Sequence, residues 1–142
     1  MIEISTDKSR IDVDAVHDFL SNHAYWAKGI PRNVVERAIA NSIVFAAYDD
    51  ERLVAFARVI TDCAVFAYLA DVFVVPSHRG RGIGKQLMSA IRAYPLLQGL
   101  RRWLLVTRDA HALYRQFGFR ELAKPERHME AVVIDPYGTF SR

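Results

Sequence analysis

The stretch Val74-Val75-Pro76-Ser77-His78-Arg79-Gly80-Arg81-Gly82-Ile83-Gly84-Lys85 constrains this chain more than any other. An apolar run stops at a proline, and three glycines and three cations follow within six residues of Arg79. Helical spacing then begins at once, with Ile83, Leu87, Met88 and Ile91 on one face. Glycine lets a backbone turn sharply and approach a ligand without a Cβ in the way. The first amides of the helix and the positive end of its dipole form a ready anion site. Arg79, Arg81 and Lys85 add charge around it. The ligand that suits such a strand–loop–helix is a diphosphate. A plain tight turn under a solvated basic surface uses the same residues, and the segment alone leaves both readings open. Two familiar phosphate loops are excluded. No Gly-Lys-Ser/Thr closes a Walker-type loop, and Gly80, Gly82 and Gly84 do not have the dinucleotide-binding spacing.

The pattern elsewhere predicts one α/β domain spanning 1–142, without repeats, linkers or low-complexity tracts. Strands are expected at 2–5, 43–48, 53–60, 65–75 and 102–106, the last led in by 97–100. A polar turn, Asp49-Asp50-Glu51-Arg52, joins the second and third. The run 65–75 is apolar on both faces and therefore expected at the centre of the sheet. Asp12 suits the N-cap of a helix carrying Val13, Val16, Phe19 and Leu20 inward. Pro31 suits the first turn of a second helix with Val34, Val35, Ala38 and Ile39 on one face. A helix from Ala110 should end at Gly118. Residues 119–122 and 128–134 are expected to close the sheet as a hairpin around Lys124-Pro125-Glu126.

Composition sets limits. The 142 residues bear a net charge of +3, which suits an anionic small molecule and does not call for nucleic acid. No apolar run is long enough to span a bilayer, and Met1 leads straight into a strand pattern rather than a signal peptide. The single cysteine, Cys63, excludes an internal disulfide and suits a reducing cytoplasmic location. The five histidines have no metal-ligand spacing with it, so no metal is expected.

Two motifs in one register resemble the GCN5-related N-acetyltransferase (GNAT) family. Arg79-Gly80-Arg81-Gly82-Ile83-Gly84 is similar to that family's acetyl-CoA loop, Arg/Gln-x-x-Gly-x-Gly/Ala. Downstream, Leu113-Tyr114-Arg115-Gln116-Phe117-Gly118-Phe119 resembles its Leu-Tyr-x-x-x-Gly-Phe helix end. The resemblance covers essentially the whole chain. It implies an α/β (α+β) fold with a central mixed, mostly antiparallel sheet of six to seven strands, flanked by about four helices. It also implies acetyl transfer from acetyl-CoA to a primary amine of a small molecule or an exposed protein amine.

The same resemblance assigns roles. The pantetheine chain should run beside Phe73, Val74 and Val75, where a backbone N–H would polarise the thioester carbonyl. The loop from Arg79 through Gly80, Arg81, Gly82, Ile83 and Gly84 to Lys85 would hold the diphosphate. Tyr114 stands at the position of the family's general acid, although its helical face with Ala110, Leu113 and Phe117 also suits simple packing. Tyr68-Leu69-Ala70-Asp71-Val72-Phe73-Val74 resembles the strand of members that acetylate small amines and polyamines, with Ala70 in place of glutamate. Asp71 remains as a candidate to handle the acceptor's ammonium group, and a structural pair with an arginine explains it equally well. Thr107 stands near a position where many members carry an asparagine that touches the pantetheine. Tyr25 and Trp26, with Tyr68 and more weakly His23, are candidates to line the acceptor pocket or merely to cap the core. The partner expected is an amine acceptor, with no nucleic acid or membrane, and a homodimer is left open. A non-catalytic acyl-CoA sensor on the same scaffold is the alternative function.

Overall fold

The computed structural model describes residues 1–138. The elements run β1 (Ile2–Ser5), α1 (Val13–His23), α2 (Arg32–Ala40), β2 (Ile43–Asp49), β3 (Arg52–Thr61), β4 (Phe66–Val74), α3 (Ile83–Ala93), β5 (Arg102–Leu104) and α4 (His111–Arg115). The strands form one sheet in the order β1-β2-β3-β4-β5. The first four are antiparallel to their neighbours, and β5 lies parallel to β4.

Alternation along the strands explains why helices cover both faces of this sheet. On β2, Val44, Ala46 and Tyr48 point to one side, into a core shared with Val16, Phe19 and Leu20 of α1 and Val35 and Ile39 of α2. Phe45 and Ala47 point to the other side, against Ile83, Leu87, Met88 and Ile91 of α3. Those four are the positions that helical spacing sets inward, and all are fully or almost fully buried. Helix α1 begins where expected, the Asp12 carboxylate accepting a hydrogen bond from the Ala15 amide at 3.1 Å. Pro31 occupies the N-cap of α2, with extended backbone that its ring favours. The β2–β3 turn pairs Asp49 with Arg52 and places Asp50 at φ 55.

Among the described residues the sheet has five strands rather than six or seven. Segments 119–122 and 128–134 are in no strand, and Pro125–Arg127 between them forms a single 3₁₀ turn. The first carries Arg120 and Glu121, whose side chains bond Arg115 and its carbonyl rather than another strand. The second has strand-like composition, but among the described residues no strand of its own chain pairs with it. A strand propensity without a ladder partner leaves the backbone irregular.

Candidate active site

The loop after β4 is fixed before it becomes permissive. Pro76–His78 makes a 3₁₀ turn whose His78 is buried and bonds the Asp49 carboxylate of β2 at 2.8 Å. That hydrogen bond is the main reason the Asp49 carboxyl is held below its ordinary range. Gly80 and Gly82 follow with φ of 77° and 76°, left-handed values that side chains rarely adopt. A Cβ on either would meet no atom within 4 Å, so the space over the loop is open. Gly82 is the N-cap of α3 and supplies no side-chain cap. The first intrahelical bond runs from the Gln86 amide to the Gly82 carbonyl at 3.0 Å. The amides of Ile83, Gly84 and Lys85, which precede it, therefore lack helical acceptors at the start of α3.

A second opening lies beside this loop, between β4 and β5. The two strands pair only at Phe66–Arg102, Ala67–Trp103 and Tyr68–Leu104, while β4 continues six residues further to Val74. Past Tyr68 they splay. On its other side β4 stays bonded to β3, but with a bulge: Asp71 and Val72 together oppose Ala57. Asp71 carries the strain at φ 54. Beyond the bulge the Val75 amide donates to the Val54 carbonyl at 2.9 Å, so it is already used. Antiparallel alternation then turns the polar groups of Val74 toward the splay. Its carbonyl there accepts from Arg79 Nε at 2.9 Å.

Helix α4 packs over the start of α3, with Leu113 Cδ2 3.8 Å from where a Cβ on Gly84 would stand. The Thr107 hydroxyl starts this helix by accepting from the Ala110 amide at 3.0 Å, so it serves the turn. Tyr114 is 8% exposed and shares the α3 core with Leu69 and Ile83. Burial, followed by the charges of Tyr25 and Asp109, pushes its phenol up to about 12. The ring meets Phe119 edge-on at 6.0 Å. Arg92 fixes the turn after α4, stacking 4.8 Å over Trp103 and 5.9 Å from the centre of Phe119. A cavity of about 860 Å³ opens beside Tyr114 and Thr107 on the outer flank of β5, away from the glycine loop.

A sequence model of the GNAT acetyltransferase domain matches residues 40–121, which include β2, the glycine loop and α4. The chain belongs to the GNAT acetyltransferase family. A Gibberella zeae protein assigned as an acetyltransferase is 30% identical over 141 residues, covering 83% of this chain and 78% of that protein. A GNAT-family crystal structure from Xanthomonas campestris is 51% identical, covers 98% of both chains and superposes with a TM-score of 0.95. A Clostridium acetobutylicum structure described with acetyl-CoA shares the fold at 15% identity and a TM-score of 0.67, over 92% of this chain and all of that one.

Around the bulge in β4, the fold gathers several of the residues expected on the acceptor side. Trp26 Nε1 donates to Asp71 Oδ1 at 2.8 Å, and Arg58 Nε donates to Oδ2 at 2.6 Å. Arg58 also reaches the Ser42 hydroxyl at 3.1 Å, which donates to the Ala38 carbonyl at 2.7 Å. Both carboxylate oxygens of Asp71 are thus engaged, and the arginine pairing is the one observed. Tyr25 stands edge-on to Trp26 at 5.1 Å, and the Arg108 guanidinium lies 3.8 Å over its ring. The α1–α2 and β5–α4 loops meet through this contact. Tyr25 and Trp26 are about half exposed there. Tyr68 is part-buried on β4 opposite Ile60 and Leu104. His23 is not with this group: it borders a recess of about 340 Å³ with Asp12, Phe19 and Pro76. Sequence reasoning missed His78, Arg58 and Arg108. Nothing in spacing marks a lone histidine or arginine as a partner. For Arg58 the hint was Asp71 itself, a carboxylate on a central strand that needed a cation.

Proposed function

We propose that this GNAT protein is an acetyl-CoA-dependent N-acetyltransferase acting on a primary amine of a small molecule or an exposed protein amine. The observation that carries this reading is the junction of the β4–β5 splay with the uncapped N-terminus of α3. A free strand edge lies end-on to an open, glycine-lined anion site there. These groups fit the substrate: the loop amides with Arg81 and Lys85 would take the diphosphate, and the edge of β4 the pantetheine amides. Of Phe73, Val74 and Val75, Val74 has the amide facing the splay, where it would donate to the thioester oxygen as negative charge develops. Attack by the neutral amine forms the C–N bond. Cleavage of the C–S bond then leaves a thiolate, to which Tyr114 would deliver its proton. The amine's own proton passes to water at the mouth. Asp71 is proposed to position Trp26 and to hold negative charge near the entering ammonium. The Clostridium relative described with acetyl-CoA supports the donor by analogy of fold.

The acyl-CoA sensor reading has one observation behind it: Arg58 neutralises Asp71, and Ala70 supplies no carboxylate. Calorimetry with coenzyme A tests what the two readings share, and saturable binding is expected. Absence of binding would sink both. Turnover of acetyl-CoA with an amine separates them.

A further inference from the structure

The surface around the β4 bulge holds two arginines, and they are engaged differently. Arg58 is part-buried, donates to Asp71 Oδ2 at 2.6 Å and reaches the Ser42 hydroxyl, so the fold itself matches its charge. Arg108 is not matched in that way. Its ion-pair partner is the adjacent Asp109, whose Oδ2 lies 3.7 Å from Nη2, too long for a hydrogen bond. Both side chains are well exposed, and such a pair contributes little. An aromatic ring places Arg108 instead. Its guanidinium carbon stands 3.8 Å over the centre of Tyr25, which is edge-on to Trp26. A guanidinium stacked on a ring holds its N–H fork in a fixed orientation, and that fork fits a carboxylate through two parallel hydrogen bonds. The contact is also close to the proposed chemistry, since Tyr25 and Asp109 both act electrostatically on the Tyr114 phenol.

Contacts link four residues in the order Asp71, Trp26, Tyr25, Arg108, with a carboxylate at one end and a guanidinium at the other. The row offers little to a bare cation. Both Asp71 oxygens already accept, and Arg108 covers a face of Tyr25 on which an ammonium would otherwise stack. We propose that Arg108, positioned by Tyr25, binds a carboxylate on the acceptor, so that amino carboxylates are preferred over plain alkylamines. This inference rests on the acyl-transfer reading and adds the acceptor's class to it. The amine lies at the Asp71 end of the aromatic pair and the carboxylate at the Arg108 end. Complementary charges at the two ends fix the direction of entry as well as the affinity.

The test is calorimetry with matched pairs: ω-amino carboxylates of increasing length, each beside the alkylamine of the same length. They are titrated into protein saturated with coenzyme A and into protein alone, and acetyl transfer to the same compounds is read in parallel. In wild type the carboxylate member of at least one pair should bind about tenfold to a hundredfold more tightly, the range of charge-assisted hydrogen bonds. The preference should shrink as salt is raised. Arg108→Gln should abolish it and leave coenzyme A affinity unchanged. Arg108→Lys keeps the charge without the fork and should retain only part of it. Tyr25→Phe keeps the ring beneath the arginine and should retain the preference, whereas Tyr25→Leu should weaken it. Equal affinity within every pair, or no binding by either member, overturns the inference. So does a preference that survives Arg108→Gln. Tighter alkylamine binding by Arg108→Gln would make Arg108 a mere occupant of the Tyr25 face, which overturns it too. None of these outcomes depends on turnover, so a failure of acyl transfer is read separately, from the absence of acetylated product in both series.

Discussion

Two residues carry the proposed chemistry, Tyr114 and Asp71, and their surroundings set different demands. Tyr114 is held protonated by burial, near 12 rather than 10. Passing that proton to a thiolate of ordinary pKa near 8.5 is uphill by roughly 5 kcal/mol. Transfer must therefore accompany C–S cleavage, while a thiolate forming in the same dry setting is itself more basic. Tyr114→Phe should lower kcat by about a hundredfold and leave coenzyme A affinity nearly unchanged. A variant that keeps full kcat would make Tyr114 a packing residue. The raised phenol also fixes the pH profile. Tyr114 keeps its proton throughout the range in which amines lose theirs, so rate should climb with pH and show no alkaline fall from Tyr114 below about pH 10. Its effect on stability has the matching sign: fully present below the unfolded value near 10, and lost as pH rises toward 12. Asp71→Asn tests the other side. Because Asp71 and Arg58 are 11% and 18% exposed, removing one charge strands the other, and about 3 kcal/mol of stability should be lost in denaturant titration. If Asp71 also meets the ammonium, turnover falls chiefly at low pH, where neutral amine is scarce. An unaltered profile confines it to positioning Trp26.

At the scale of elements, the loop into α3 couples fold and function. Gly82 holds a left-handed φ and caps the helix with open space above it. Gly82→Val strains the backbone by about 1–2 kcal/mol and fills the place proposed for the diphosphate. Coenzyme A binding should vanish in calorimetry while circular dichroism keeps its shape; retained affinity would move the anion site elsewhere. This element was legible in the sequence because glycine placement and helical period act locally. So was the Asp12 cap, whereas the run expected at the centre of the sheet is β4, fourth of five, and β3 is the middle strand and the more deeply buried. The bulge at Asp71 was not legible, since it follows from register against β3. The splay was equally hidden, because where two parallel strands part depends on their pairing in the folded sheet and not on either run of residues alone. The expected hairpin from 119 to 134 failed for a related reason. Its second half has the composition of a strand, and whether it pairs is decided by tertiary context rather than by its own residues.

At the scale of the molecule, two helical layers grip one sheet, and the proposed site lies where the sheet opens between β4 and β5. Two motifs in one register sufficed to read the family from the sequence. The acceptor was not readable, because the surface proposed for it is assembled from loops: Tyr25 and Trp26 from one, Arg108 from another, Asp71 from the bulge between. The central claim is acyl transfer, and thiol release from acetyl-CoA over a panel of primary amines and amine-bearing peptides measures it most directly. Product mass should be read alongside. Amine-dependent thiol release is predicted, with the acetylated amine formed in equal amount and both strongly reduced in Tyr114→Phe. Tight acetyl-CoA binding with no amine-dependent release across the panel would contradict the account and leave a binding protein on a catalytic scaffold.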